Sequence, residues 1–120
     1  MRILSAFVAL IVWPAHAGPA PSLPIESGEY KFQHRFSEQP GIKSISLTAK
    51  ISGTEIVLIN KRRSDVFPKG VVAQGTLMWH SGSRQWIIGQ EASDQWAQDV
   101  GGRSDGPEVI DLQNKIYWTC

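Results

Sequence analysis

The residue types that perform enzyme chemistry are present, but their spacing matches no catalytic arrangement. The ingredients of a hydrolase, a nucleophile, a base and an acid, are present as Ser81, Ser83, His80 and Asp94. Neither serine lies in the Gly-x-Ser-x-Gly turn that exposes the nucleophile of an α/β-hydrolase. Cys120 is another nucleophile type, but spacing cannot place it beside His80. The sequence therefore favours a protein without catalytic residues, with a small hydrolase as a remote alternative.

The candidate metal ligands are also badly spaced. His34 and His80 are far apart and lack the i, i+4 pairing of a zinc-binding helix. Asp99, Asp105 and Asp111 recur every six residues around a glycine-rich stretch, whereas a calcium loop of the EF-hand type needs ligands at alternate positions. We therefore expect no metal and no cofactor, and we interpret residues 105–107 as a turn.

The densest charge in the chain is the basic run Lys61, Arg62 and Arg63. Its natural partners outside the cytosol are anionic lipid, anionic polysaccharide or an acidic protein surface. The alternative is a solvated loop that follows a strand. Arg103 is a further cation that could lie beside an aromatic contact surface. These four residues are the charged part of the candidate binding site.

Four tryptophans lie beyond residue 17, at positions 79, 86, 96 and 118. Trp79 and Trp86 are predicted on the strand face that also carries Leu77 and Ile88, so we expect them in the core. Trp96 lies in a short polar connector and is the better candidate for a surface anchor of a protein interface. Trp96 therefore completes the predicted binding site.

Residues 1–17 have the features of a secretory signal peptide. Arg2 precedes an apolar stretch over residues 3–12, and Ala15-His16-Ala17 fits the rule for signal peptidase cleavage. The stretch is shorter than the roughly 20 residues that span a bilayer. We expect a secreted or periplasmic protein that begins at Gly18, with a flexible proline-rich arm over residues 18–27 and one β-rich domain over residues 28–120.

Composition narrows the class further. The predicted cut leaves eleven basic and eleven acidic residues, and a neutral chain disfavours nucleic-acid binding. No second apolar run follows the leader, so no membrane span is expected. The lone Cys120 excludes an intrachain disulfide and could stay free or pair with another chain. The oligomeric state is left open.

Alternating apolar and polar residues predict short β-strands. One alternation, with Tyr30, Phe32 and His34 on a single face, covers residues 29–36. Residues 45–51 and 54–60 form a predicted hairpin around Ser52-Gly53, which would pair Lys50 with Glu55 and Leu47 with Leu58.

Three more elements follow along the chain. A strand is predicted over residues 71–80, with Val71 on its inner face. A turn at Gly82-Ser83 would join it to a return strand from residue 85, and the two strands would pair Trp79 with Trp86. Residues 94–100 are the only helical candidate, with Ser93 as N-cap and Gly101 as the residue after the helix. A closing hairpin is predicted around residues 113–114.

These elements predict a mainly β protein, a small antiparallel meander that closes into a barrel or sandwich with one short connecting helix. The first functional hypothesis is a non-catalytic module that binds a protein or an anionic envelope component, as an inhibitor or accessory subunit does. The alternative is a lipocalin-like barrel that holds a small apolar or glycan ligand through Trp79, Trp86 or Tyr117.

Overall fold

The fold consists of seven β-strands and one short 3₁₀ helix. A computed structural model describes residues 19–101 and 106–120. The strands are β1 (Gly28–Phe36), β2 (Ser46–Ser52), β3 (Glu55–Asn60), β4 (Gly70–His80), β5 (Gln85–Gly89), β6 (Glu108–Asp111) and β7 (Ile116–Thr119), and the 3₁₀ helix (Ala92–Trp96) lies between β5 and β6.

The strands follow one another around a closed barrel in chain order. Each successive pair is antiparallel, and β1 closes the ring by pairing with β7 in parallel, with Gln33 opposite Ile116. An up-and-down meander of seven strands leaves its first and last strands pointing the same way, so the closing pair must be parallel. The predicted mainly β meander is confirmed. Closure protects the sheet edges that could otherwise pair with other chains.

The barrel interior is filled by side chains. Buried residues alternate with more exposed ones along β2 and β3, which is the period-2 pattern predicted from the sequence. Phe32, Leu58 and Ala49 are completely buried. The buried core consists of Phe32, Leu47, Ala49, Ile51, Ile56, Leu58, Leu77, Ile88, Ile110, Leu112 and Tyr117. Since the chain has a single cysteine, this apolar packing takes the place of an internal crosslink.

The β2–β3 hairpin forms where it was predicted, but its register was wrong by two residues. Ser52 pairs with Glu55 and Ala49 with Leu58, so Gly53-Thr54 is the turn. Gly53 has a φ of 61°, as the first central residue of a type II′ turn requires. A tight turn centred on Ser52-Gly53 would impose the unfavourable positive φ on Ser52.

The charge pairing expected from the first register does not form. Lys50 lies opposite Val57 on β3 and opposite Glu29 on β1. Glu55 instead accepts a hydrogen bond from the Thr76 hydroxyl at 2.8 Å. A slip by an even number of residues keeps every side chain on its predicted face, which is why the core assignment survives the error.

The β4–β5 hairpin has the predicted register but a longer turn. Trp79 pairs with Trp86 and Leu77 with Ile88. The connection is a four-residue turn over residues 81–84, rather than a two-residue turn at Gly82-Ser83. The Arg84 amide donates to the His80 carbonyl at 2.8 Å, and Arg84 takes the positive φ of 58°. Two extra residues in the turn leave the pairing unchanged.

A bulge at the start of β4 places Val71 on the face opposite to the predicted one. Leu58 pairs with Ala73, but Ile59 pairs with Val71, so Val72 is the extra residue. The bulge reverses the alternation, because one inserted residue moves its neighbours to the opposite face. Val71 was predicted on the inner face and is instead 59% exposed.

The helix is shorter and earlier than predicted. It is a 3₁₀ helix that begins at Ala92 and ends at Trp96, with Glu91 rather than Ser93 as its N-cap. The Asp94 carboxylate accepts hydrogen bonds from the amides of Gln90 and Glu91 and fixes the first turn. Ala97 is extended, which ends the helix well before Gly101.

The proline-rich arm lies against the barrel. Leu23 and Ile25 pack on the core as partly buried residues. The Gly53 amide donates to the Ser27 hydroxyl at 2.8 Å, and the Tyr30 hydroxyl donates to the Glu26 carbonyl at 2.7 Å. Within residues 19–101 and 106–120, no helix is long and apolar enough to cross a membrane.

Candidate functional site

The three consecutive cations line one groove on the outside of the barrel. Lys61, Arg62 and Arg63 are exposed at the end of β3. Together with Lys31 and Glu29 they border an open concavity of about 610 Å³ over the outer face of β1 and β2. We call this concavity the basic groove. It carries four cations and one carboxylate among its lining residues, so its net charge is positive.

A buried asparagine fixes the loop that carries these cations. Asn60 is only 2% exposed. Its side-chain amide donates to the carbonyls of Phe67 and Pro68 at 3.0 and 3.3 Å, and its side-chain oxygen accepts from the Arg62 amide at 3.3 Å. One side chain therefore ties the start of the loop to its end, and this restricts the backbone that presents the cations.

Phe67 anchors the far end of the same loop in the core. Its ring meets the ring of His34 edge to face, with centroids 4.9 Å apart, and also contacts Tyr117. Phe67 packs against the buried cluster. Because both ends of the loop are held, less conformational entropy is lost when the basic groove binds a partner.

Most of the positive charge in the basic groove is available to a ligand. Lys61 Nζ lies 3.9 Å from Glu29 Oε2, and both side chains are more than half exposed, so this pair is weak. Among the residues that the structure describes, no carboxylate forms a salt bridge with Arg62 or Arg63. Guanidinium groups that form no salt bridge to a described carboxylate favour binding of external carboxylates or phosphates.

Trp96 lies on a different surface from the basic groove. It closes the 3₁₀ helix, which packs over β4 and β5, and it is 71% exposed. It is absent from the lining of the basic groove. Arg103, the fifth predicted site residue, lies outside the described residues. The predicted residues therefore form at least two surfaces rather than one site.

A second concavity joins three tryptophans that the sequence did not place together. An open groove of about 420 Å³ lies at the barrel end where β4 ends and β5 begins, and Trp79, Trp86 and Trp118 line it. We call it the tryptophan groove. Trp79 and Trp86 were expected in the core, but each is only partly buried. Alternation places Trp118 outward on β7. The pairing of Trp86 with Ile110 and of Ile110 with Tyr117 brings β7 to this end of the barrel.

His80 holds the turn and the 3₁₀ helix together. Its Nδ1 accepts from the Ser83 amide at 3.1 Å and lies 2.8 Å from the Ser83 hydroxyl. Its Nε2 lies 2.6 Å from the Ala97 carbonyl, which can only accept, so Nε2 carries the hydrogen. The ring is 3% exposed and both nitrogens are occupied. This arrangement explains the turn geometry without a catalytic role for Ser83.

One further pattern in the sequence bears on the hydrolase alternative. Residues 102–106 read Gly-Arg-Ser-Asp-Gly and fit Gly-x-Ser-x-Gly around Ser104. That pattern carries catalytic meaning when a strand precedes it and a helix follows it. Here the next element is a strand, β6, and residues 102–105 lie outside the described residues. The pattern therefore lacks the context that would support a hydrolase.

The calcium and zinc candidates that the structure describes form no common site. No group of three His, Cys, Asp or Glu side chains in the described parts of the chain could hold a metal ion. Asp111 accepts from the amide and the side chain of Asn114, both at 2.9 Å, and so shapes the β6–β7 turn. Asp105 lies outside the described residues, and Cys120 is exposed.

His34 is a buried polar residue at the centre of an aromatic cluster. Its ring is fully buried, and its nitrogens lie 2.8 Å from the Ser44 hydroxyl and 2.7 Å from the Thr119 hydroxyl. In the neutral ring one nitrogen donates and the other accepts, and a hydroxyl can take either role. Burial lowers the pKa of His34 below its ordinary value of 6.5. His34 therefore makes a polar crosslink between the β1–β2 connection and β7.

The lowered pKa predicts loss of stability in mild acid. Because the unfolded chain binds a proton at His34 more readily than the folded chain, the stabilisation is complete above pH 6.5 and is lost as the pH falls below that value. Urea unfolding between pH 7.5 and 5 should show a declining free energy of unfolding. His34→Gln should show a shallower decline, and since both proteins share all other titratable groups, equal declines would refute this role.

Comparison with known proteins identified no relative, so the functional proposal depends on the geometry of the grooves. The chain matched no protein-family model, no curated protein and no solved structure. The barrel establishes the fold class, a small closed β-meander. Since a fold can host many functions, the function is argued below from the basic groove.

Proposed function

We propose that this protein is an exported, non-catalytic binding module whose basic groove receives an acidic segment of another extracytoplasmic protein. The observation that carries the proposal is the three-cation run held against one groove by Asn60 and Phe67. Asn60 and Phe67 restrict the loop that presents the cations, which reduces the conformational entropy lost when a partner binds. Export is inferred from the features of residues 1–17.

The lining of the basic groove favours protein carboxylates over sugars. Sugar rings usually stack on an open aromatic face, whereas Tyr30 is the only aromatic residue among the described residues that line this groove. Tyr30 is partly buried, and Lys115 lies 5.7 Å over its ring. Arg62 and Arg63 offer planar donors that match carboxylates bidentately, and Ser46 and Thr48 add hydroxyls from β2.

Charge neutralisation in the groove should weaken binding of an acidic peptide. A fluorescent hexaglutamate peptide should bind the full chain at low salt and dissociate as salt is raised. The double variant Arg62→Gln/Arg63→Gln should bind roughly tenfold more weakly, since each exposed pair contributes about 0.2–1 kcal/mol. Fluorescence anisotropy measures both effects.

Lys69→Gln is the matched control for this experiment. Lys69 is exposed at the far end of the same loop and does not line the basic groove. The Lys69→Gln substitution removes one charge from the same loop, and it should weaken peptide binding by less than about twofold. Because the control removes one charge and the double variant removes two, a loss of about threefold in the control would show that only net charge matters. Preference for a sulfated oligosaccharide or for anionic vesicles over the peptide would replace the protein partner with an envelope component.

A further inference from the structure

The tryptophan groove is a separate concavity that the proposed function does not use. It shares no lining residue with the basic groove. Its volume of about 420 Å³ falls within the range of small-molecule sites. Residues of the arm, including Pro21 and Pro24, form one wall, and the turn between β6 and β7 forms another.

The indoles of this groove are held in a fixed arrangement. Trp79 and Trp86 are directly paired across β4 and β5. Their ring centroids are 5.5 Å apart with an angle of 68° between the planes, so the rings pack edge to face. Trp86 also packs against the buried core. Together with the partly exposed Trp118 they present rigid apolar surface beside solvent.

Hydrogen-bonding side chains surround the indoles, and their charges cancel. Gln85 and Gln113 are exposed and line the groove, and each amide offers both donors and acceptors. Arg84 and Asp111 contribute one charge of each sign, which leaves the lining neutral. The Asp111 carboxylate already accepts two hydrogen bonds from Asn114 but retains free acceptor sites.

We propose that the tryptophan groove binds a neutral carbohydrate. A sugar ring presents an apolar C–H face, which stacks on an indole, and a rim of hydroxyls, which pair with amides, guanidinium and carboxylate groups. The lining combines these two features and has no net charge to select an ionic ligand. Tyr117, which the sequence also suggested for a ligand, is 2% exposed and donates to Glu108, so it takes no part.

The competing occupant is an extended proline-rich peptide, since proline rings also stack on tryptophan. The arm of this chain already places Pro21 and Pro24 at the groove, but as a wall beside open space. The two exposed glutamines and the separate charged groups of Arg84 and Asp111 around that space favour hydroxyl-rich ligands over a segment poor in hydrogen-bonding side chains. A peptide of residues 18–27 therefore serves as the alternative ligand in the test.

The test is a titration of the ¹⁵N-labelled full chain, monitored through its indole N–H signals in NMR spectra. The ligands are neutral β-glucan, α-glucan and N-acetylglucosamine hexasaccharides, hexaglutamate and the arm peptide. At least one neutral hexasaccharide should shift the signals of Trp79, Trp86 and Trp118 saturably and leave Trp96 unmoved. Trp118→Ala should weaken this binding tenfold or more, and the matched exposed variant Trp96→Ala should change it less than twofold.

Two further variants keep the result interpretable. Gln85→Ala/Gln113→Ala alters exposed positions only and should weaken sugar binding severalfold even if Trp118→Ala fails to fold. Arg62→Gln/Arg63→Gln should leave sugar binding unchanged, so this proposal and the acidic-peptide proposal fail independently. The inference is overturned if none of the three hexasaccharides shifts the groove indoles, if Gln85→Ala/Gln113→Ala binds as the unmodified chain does, or if only the arm peptide binds.

Discussion

Replacing Phe32 by alanine should lower the free energy of unfolding by about 3–5 kcal/mol, the largest single effect expected for this protein. Phe32 is 0% exposed and pairs with Leu47 across β1 and β2 in the middle of the core. Its removal forfeits apolar burial and leaves a cavity that the closed ring of strands cannot readily collapse. Small domains have only about 5–15 kcal/mol to lose, so the variant should be largely unfolded at modest urea concentrations.

Trp96→Ala is the matched control for this loss. It removes a larger aromatic side chain, but one that is 71% exposed on the 3₁₀ helix. Its free energy of unfolding should change by less than about 0.5 kcal/mol. Urea unfolding followed by circular dichroism measures both variants. Similar losses in the two would contradict the division between core and surface.

Replacing Gly75 by alanine should cost about 3 kcal/mol, although it adds only one methyl group. A Cβ at this position would lie 2.5 Å from the Gly89 carbonyl oxygen and 2.9 Å from Ile88 Cγ2. The carbonyl belongs to the backbone of β5, so relief requires the paired strands β4 and β5 to move apart. The strain should appear as a lower midpoint in thermal or urea unfolding.

Gly41 supplies the comparison for Gly75. A Cβ at Gly41 would meet no atom within 4 Å, and the residue is exposed in the connection between β1 and β2. Gly41→Ala should therefore be neutral or stabilise slightly, by up to about 1 kcal/mol, because it restricts the unfolded chain. If both alanines behave alike, the close approach of β4 and β5 at Gly75 does not limit stability.

The two proposals place their ligands on separate surfaces of the barrel. The basic groove lies over β1 and β2, and the tryptophan groove lies at one end of the barrel. Because they share no residues, an acidic protein segment and a neutral glycan could be held at the same time. The gain from two simultaneous contacts is set by effective concentration rather than by either affinity alone.

The sequence by itself determined the strands and the direction of their side chains. Alternation is a local property, since successive residues of a strand point to opposite faces whatever the partner strand is. Phe32 and His34 were predicted to share one face of their strand, and both are buried. The exposure of Trp96 was also read correctly, because its short polar segment offered no apolar face to bury it.

Register was only partly contained in the sequence. The β4–β5 pairing was predicted correctly, with Trp79 opposite Trp86, whereas the β2–β3 pairing was displaced by two residues. Both β2–β3 registers bury the same side chains, so hydrophobic patterning could not distinguish them. The choice depended on which residue takes the positive φ, and Gly53 does so at the first turn position.

The tertiary structure alone decided what the surface offers to a partner. Pairing of β4 through β7 in succession sets Trp118 near Trp79, although 39 residues separate them in the chain. Asn60 and Phe67 anchor the loop that carries the three cations beside β1. The bulge at Val72 leaves Val71 exposed. Such juxtapositions depend on long-range contacts that local periodicity does not encode, because the period of a strand fixes the face of a side chain but not its neighbours.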